Sequence, residues 1–184
     1  MKIVLIAGSN RKNATSTLLL KHMEDVFRSK NVETTFVDLY DKPVPLYCPD
    51  DETPDERASF MIRAVAEADA IVLGTPEYHG SISGVLKNAL DYLGSNEVGG
   101  KAVLSVSSSG GAVGVSSLTQ LQAIVRNLHG INSPEWLSLG GSARQFGADG
   151  SPTDAGVRQR VVRVIDALTD LTSKLRPAAR VPQK

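Results

Sequence analysis

The sequence predicts a doubly wound α/β fold, a five-stranded parallel sheet of order 2-1-3-4-5 with helices on both faces. Short apolar runs alternate with longer amphipathic ones, the pattern of parallel strands joined by crossover helices. Three of the runs are apolar on consecutive rather than alternate residues, as strands covered on both faces require. At 184 residues the chain buries a core large enough to stand without disulfides or structural metal. Residues 1–176 are therefore expected to form one domain, and residues 177–184 a frayed C-terminal tail.

Taken in order, strands are expected at residues 2–7, 33–38, 70–74, 102–107 and 136–139. Between them, Leu19, Met23, Val26 and Phe27 form a stripe at helical spacing, as do Met61, Ala64, Val65 and Ala68. Val85, Leu86, Ala89, Leu90 and Leu93 make a third stripe, and Leu118, Leu121, Ile124, Val125 and Leu128 a fourth. The fifth runs from Val157 through Val161, Val164, Ile165 and Leu168 to Leu175. Thr53-Pro54-Asp55-Glu56 reads as the start of the second helix, with Thr53 capping, Pro54 in the first turn and Glu56 three residues after the cap. Thr153-Asp154 plays the same part for the last helix. Right-handed crossovers then give the 2-1-3-4-5 order.

Charge and cysteine content narrow the function. Twenty basic and twenty acidic residues leave a net charge of zero and no basic face for a phosphate backbone, so nucleic acid is not an expected partner. The one cysteine, Cys48, makes no internal disulfide, which suits a reducing compartment. Residues 1–7 resemble a signal peptide only superficially, because polar Ser9 to Asn13 interrupt the apolar run, and no stretch approaches membrane-spanning length. A cytoplasmic location without membrane contact is expected.

In such a sheet the ligand crevice lies at the carboxyl ends of the strands where the winding reverses, here between the first and third strands. Three loops should converge there. The first, residues 8–17, carries Ser9, Arg11, Ser16 and Thr17 into a helix, and hydroxyls, a guanidinium and a helix amino terminus together suit an anion. It lacks both the Gly-x-Gly-x-x-Gly fingerprint and the Gly-Lys-Ser/Thr ending, so a mononucleotide phosphate fits it better than a pyrophosphate or triphosphate. The alternative is a polar loop whose hydroxyls merely cap the helix; its place at the end of strand one favours phosphate.

The second loop is Pro76-Glu77-Tyr78-His79-Gly80. Pro76 fixes the chain past the strand, Tyr78 offers a flat amphipathic surface, and Gly80 permits a close approach or a positive φ. Glu77 and His79 can be read as an acid–base pair or a metal pair, and His79 equally as a solvent-facing loop histidine; two such residues without further ligands make a poor metal site. The third loop, with Ser107, Ser109 and Gly110, is small enough for its backbone to approach a flat ligand, or simply to turn.

Ala7-Gly8-Ser9-Asn10-Arg11, Thr75-Pro76-Glu77-Tyr78-His79-Gly80 and the following Ser83-Gly84-Val85-Leu86-Lys87-Asn88-Ala89-Leu90-Asp91 resemble the NADPH-dependent FMN reductase family, which includes azobenzene, quinone and chromate reductases. The resemblance covers nearly the whole chain up to the tail. It implies a flavodoxin-like three-layer sandwich, noncovalent FMN, NADPH or NADH as cosubstrate, a small-molecule electron acceptor, and a homodimer or a tetramer of dimers. By position, Ser9, Arg11, Ser16 and Thr17 would hold the phosphate. Pro76, Glu77, Tyr78, His79 and Gly80 would line the isoalloxazine, and Ser107, Ser109 and Gly110 would close its other side. Many members carry Asn where His79 stands, and the hydroxyls of the phosphate helix are shifted here by a residue or two. No side chain is expected to be a nucleophile, because the flavin carries the hydride. Two rivals are an FMN-binding electron carrier that uses no nicotinamide, and a binding module for another phosphorylated ligand.

Overall fold

The computed structural model describes residues 1–51 and 53–175, so the expected tail, with Arg176, lies outside the described residues. The chain runs β1 (Lys2–Ala7), α1 (Thr15–Ser29), β2 (Glu33–Asp38), α2 (Glu56–Glu67), β3 (Ala70–Pro76) and α3 (Gly84–Asp91). It continues through α4 (Ser95–Val98), β4 (Ala102–Ser108), α5 (Val115–Asn127), β5 (Ile131–Asn132), β6 (Leu137–Leu139) and α6 (Ala155–Leu175), with a 3-10 turn at Gly141–Arg144. Every pairing between these strands is parallel and the order is β2-β1-β3-β4-β5, with β6 also on β4.

The consecutive apolar runs have a simple cause. Successive side chains of a strand point to opposite faces, and β1 sends Ile3, Leu5 and Ala7 into one core and Val4 and Ile6 into the other. The first core is completed by Leu19, Leu20, Met23 and Phe27 of α1 and Val161, Val164, Ile165 and Leu168 of α6. The second is completed by Met61 and Val65 of α2, Leu86, Ala89 and Leu90 of α3, and Leu121 and Val125 of α5. At about 1.5–3 kcal/mol for each large aliphatic or aromatic side chain removed from water, these two layers dominate the stabilisation.

Three local expectations are corrected. The cap of α2 is Asp55, not Thr53: Asp55 Oδ1 accepts the N–H of Arg57 at 2.9 Å and also the Arg57 Nε at 2.8 Å, and this double contact sets the helix start after Pro54. Strand β3 runs on through Pro76 because Thr75 and Pro76 pair with Ser107 and Ser108. The expected strand at 136–139 is only the upper half of the sheet edge, Leu137–Leu139 against Val106–Ser108; the lower half is Ile131–Asn132 against Ala102 and Val103. Pro134, which has no N–H to donate, lies in the break, where an edge strand tolerates it.

Candidate functional site

The loops after β1, β3 and β4 meet at the carboxyl end of the sheet. They form a cleft lined by Arg11, Ala14, Thr15, Pro76, Glu77, Tyr78, Ser108, Ser109, Gly110 and Arg144.

The first wall rises from β1. Gly8 donates to the Gly74 carbonyl at 2.8 Å, and a Cβ on Gly8 would stand 2.6 Å from Leu86 Cβ, so only glycine lets the chain leave the strand here. Ser9 is fully buried and its Oγ accepts the N–H of Arg11 at 3.2 Å, which turns the chain toward the helix. Helix α1 starts after Ala14 with no side-chain cap, so its first N–H groups keep their donor capacity. Just inside that end, Ser16 and Thr17 are buried, and their hydroxyl oxygens have no partner among the described residues. A buried hydroxyl left unpaired costs about 1–3 kcal/mol. The other atoms of this kind belong to Ser105, Asn132 and Ser133; none of the five residues is in the lining of the cleft, although Ser16 and Thr17 follow Thr15, which is.

The second wall is a tight turn. Tyr78 and Ser81 exchange N–H···O=C bonds of 3.0 Å in both directions, with His79 and Gly80 between them at φ of 52° and 71°. Two central residues at positive φ identify a type I′ turn. Among non-glycine residues, asparagine, aspartate and histidine tolerate that backbone best, which fits a histidine at position 79. Gln120 of α5 grips the turn: its Oε1 accepts from Ser81 Oγ at 2.7 Å and its Nε2 donates to the Gly80 carbonyl at 3.0 Å.

Glu77 faces the other way. Its N–H donates to the Ser108 carbonyl at 2.7 Å, and its Oε2 accepts the N–H of Ser117 at 2.9 Å. No hydrogen bond joins Glu77 to His79 among the described residues, so the acid–base reading has no geometric support; nor does any group of three or more His, Cys, Asp or Glu among them suit a metal.

The third wall is built by the β4–α5 loop and the chain after β6. Ser109 donates its N–H to the Leu139 carbonyl, Gly141 to the Gly111 carbonyl, each at 2.9 Å, and Gly114 to Ser138 Oγ at 2.7 Å. A Cβ on Gly140 would lie 2.1 Å from the Gly111 and Ala112 oxygens, so a glycine is needed for the two segments to touch.

Arg11, Pro76, Glu77, Tyr78, Ser109 and Gly110 thus share one cleft, as the sequence pattern requires. Ser9, Ser16 and Thr17 are buried and lie outside its lining, next in sequence to the lining residues Arg11, Ala14 and Thr15. Ser107 is also buried, but its hydroxyl is taken by the Gly114 carbonyl at 3.0 Å and Ser138 Oγ at 2.9 Å. His79 and Gly80 form the exposed tip of the turn, outside the lining. Arg144 was missed. Its signal was the small-residued run Gly140-Gly141-Ser142-Ala143 after the last strand, at the same end of the sheet as the other loops.

Among the described residues no helix is long and apolar enough to cross a membrane. Fold and topology define a flavodoxin-like α/β protein with a cleft at the carboxyl ends of its first, third and fourth strands. The NADPH-dependent FMN reductase family model matches residues 1–144. An FMN-dependent NADPH-azoreductase of Staphylococcus aureus is 34% identical over 156 residues, covering 82% of this chain and 83% of that protein. In fold, the chain is similar to FerB, a flavoenzyme NAD(P)H:(acceptor) oxidoreductase of Paracoccus denitrificans, with a TM-score of 0.79 at 24% identity over 94% of this chain and 97% of that one. It is also similar to a flavodoxin from the domain Archaea, with a TM-score of 0.66 at 16% identity over 93% and 99%. The chain belongs to the NADPH-dependent FMN reductase family.

The residues present fit FMN. An uncapped helix end, two buried hydroxyls without partners among the described residues and Arg11 in the cleft lining would meet the needs of a phosphate, and Gly110 leaves one part of the lining without a side chain.

Proposed function

We propose that this protein is an FMN-dependent NAD(P)H oxidoreductase whose residues 1–176 act as one FMN-binding unit. The observation that carries the cofactor reading is the pair of unpartnered hydroxyls, Ser16 Oγ and Thr17 Oγ1, at the uncapped start of α1. FMN held there would supply the redox chemistry between NADPH or NADH and a small azo or quinone acceptor, in ping-pong order.

The chain's own residues bind, orient and shield. Arg11, the first N–H groups of α1 and the hydroxyls of Ser9, Ser16 and Thr17 hold the phosphate. Pro76, Glu77 and Tyr78 make one wall beside the ring, His79 and Gly80 keep that wall's turn in shape, and Ser109 and Gly110 make the opposite wall. Ser107 acts from beneath by holding the third loop. The backbone N–H groups of Gly110 and Gly111 would be available to negative charge on bound FMN, whereas that of Ser109 is taken by the Leu139 carbonyl. Arg144 adds a second cation to the cleft lining and suits the phosphates of a nicotinamide cosubstrate.

The same reading includes a homodimer or tetramer in the cytoplasm. It is supported by the family resemblance and by apolar side chains left exposed, among them Leu46 at 83%, Val113 at 57%, Tyr78 at 46% and Val115 at 45%. Light scattering of the purified protein tests the assembly.

Anaerobic mixing with NADPH and with NADH tests the activity. Loss of the flavin absorbance near about 450 nm with either nucleotide is expected. No bleaching with either would make the protein an electron carrier, and no flavin absorbance after adding FMN would remove the cofactor.

A further inference from the structure

Helix α5 begins at a residue that cannot cap it. Gly114 occupies the N-cap position, no side chain of the helix's own start satisfies its first N–H groups, and the carboxylate that accepts from Ser117 at 2.9 Å belongs to Glu77, forty residues away on the β3–α3 loop. The fit is close on every side. A Cβ at Gly114 would stand 3.2 Å from Glu77 Oε2 and 2.7 Å from Ser107 Oγ, so a self-capping serine or aspartate could not replace the glycine without displacing this contact. The Glu77 backbone is meanwhile pinned to Ser108 at 2.7 Å. One residue therefore joins two of the three walls of the cleft, and brings a negative charge to the positive end of a 13-residue helix beside it.

We propose that Glu77 is a positioning residue that, through its cap on α5, sets the reduction potential of the bound flavin. This rests on the FMN reading above. The carboxylate offsets the positive potential of the α5 amino terminus, and it adds a fixed negative charge to the cleft that takes up electrons. Both effects weaken the binding of the reduced, more negative ring relative to the oxidised one, and hold the potential low. A low potential favours onward transfer to acceptors over retention of the electrons.

Glu77→Gln and Glu77→Ala separate the cap from the charge. Glutamine keeps an oxygen for the Ser117 N–H and removes only the charge; alanine removes both. In Glu77→Gln the preference for reduced over oxidised FMN is expected to rise at least tenfold, which is a rise of about 30 mV in a two-electron midpoint. The Tm of the FMN-free protein should fall slightly in Glu77→Gln, by the charge–dipole contribution alone, and further in Glu77→Ala, which also loses the hydrogen bond. In Glu77→Ala without FMN, amide exchange at Ser117 should quicken at least tenfold. A Glu77→Gln protein that binds FMN with the parent's midpoint would overturn the charge role, and unchanged exchange at Ser117 in Glu77→Ala would overturn the cap. Failure of the parent to bind FMN would instead sink the cofactor reading, and the exchange experiment would still judge the cap.

Discussion

Ser83 Oγ donates to the Gly8 carbonyl at 2.5 Å, and the same oxygen accepts the N–H of Leu86 at 3.1 Å. One buried hydroxyl thus ties the loop after β1 to the start of α3, and Thr75 Oγ1 supports it by accepting the Ser83 N–H at 3.0 Å. The loop after β1 and the start of α3 are held together by this contact between residues 75 positions apart.

Replacing Ser83 with Ala removes an N-cap and a buried tie together. A loss of about 1–2 kcal/mol is expected, or a Tm lower by about 2–8 °C, with weaker FMN retention. Thermal melts with and without FMN measure both. A variant as stable as its parent would mean that neither bond contributes.

The turn at His79 and Gly80 makes an opposite pair of predictions. His79→Asn should be close to neutral, because asparagine accepts positive φ; His79→Val should cost about 1–2 kcal/mol, because a β-branched side chain does not. Urea unfolding distinguishes them. Equal stabilities would rule out backbone conformation as the reason for this residue.

Arg11→Ala should weaken FMN binding by about tenfold to a hundredfold, the worth of a charge-assisted hydrogen bond. Arg144→Ala should leave FMN affinity nearer the parent's and raise the KM for NADPH instead. Fluorescence titration and steady-state kinetics read the two effects; FMN bound as tightly by Arg11→Ala as by the parent would end the phosphate assignment.

His22, half-buried on α1, is held below its ordinary pKa by burial, a shift opposed in part by Asp25 and Asp149. The folded state therefore resists a proton that the unfolded chain takes up near about pH 6.5. The associated stability is complete above that pH and is lost as the pH falls toward the lower folded value, at no more than about 1.4 kcal/mol per pH unit. Urea midpoints between about pH 7.5 and 5.5 should fall more steeply for the parent than for His22→Gln. Parallel slopes would show that His22 contributes nothing.

Much of the fold is legible in periodicity because burial on two faces leaves a pattern: β1 is apolar at every position since each parity meets its own layer of helices. The edge was less readable. Ile131–Asn132 is too short to leave a pattern, and Pro134 looks like a loop signal although strand pairing resumes three residues later. The cap of α2 was placed two residues early because Thr53 and Asp55 are both competent caps, and only the Arg57 contact separates them.

The sequence by itself determined the parallel order, the crevice at the ends of β1, β3 and β4, and the three loops that meet there, since these follow from local apolar pattern and chain connectivity. Only tertiary structure decided what each polar residue does within that crevice. In one dimension Ser107 reads as a residue beside the ligand, and Glu77 as one that lines the ligand and positions its loop. In three, the Ser107 hydroxyl is bonded to Gly114 and Ser138, Glu77 caps a helix forty residues on, and Arg144 arrives from a distant loop. Hydrogen bonds depend on distance and direction between residues far apart in the chain, and no local pattern records them.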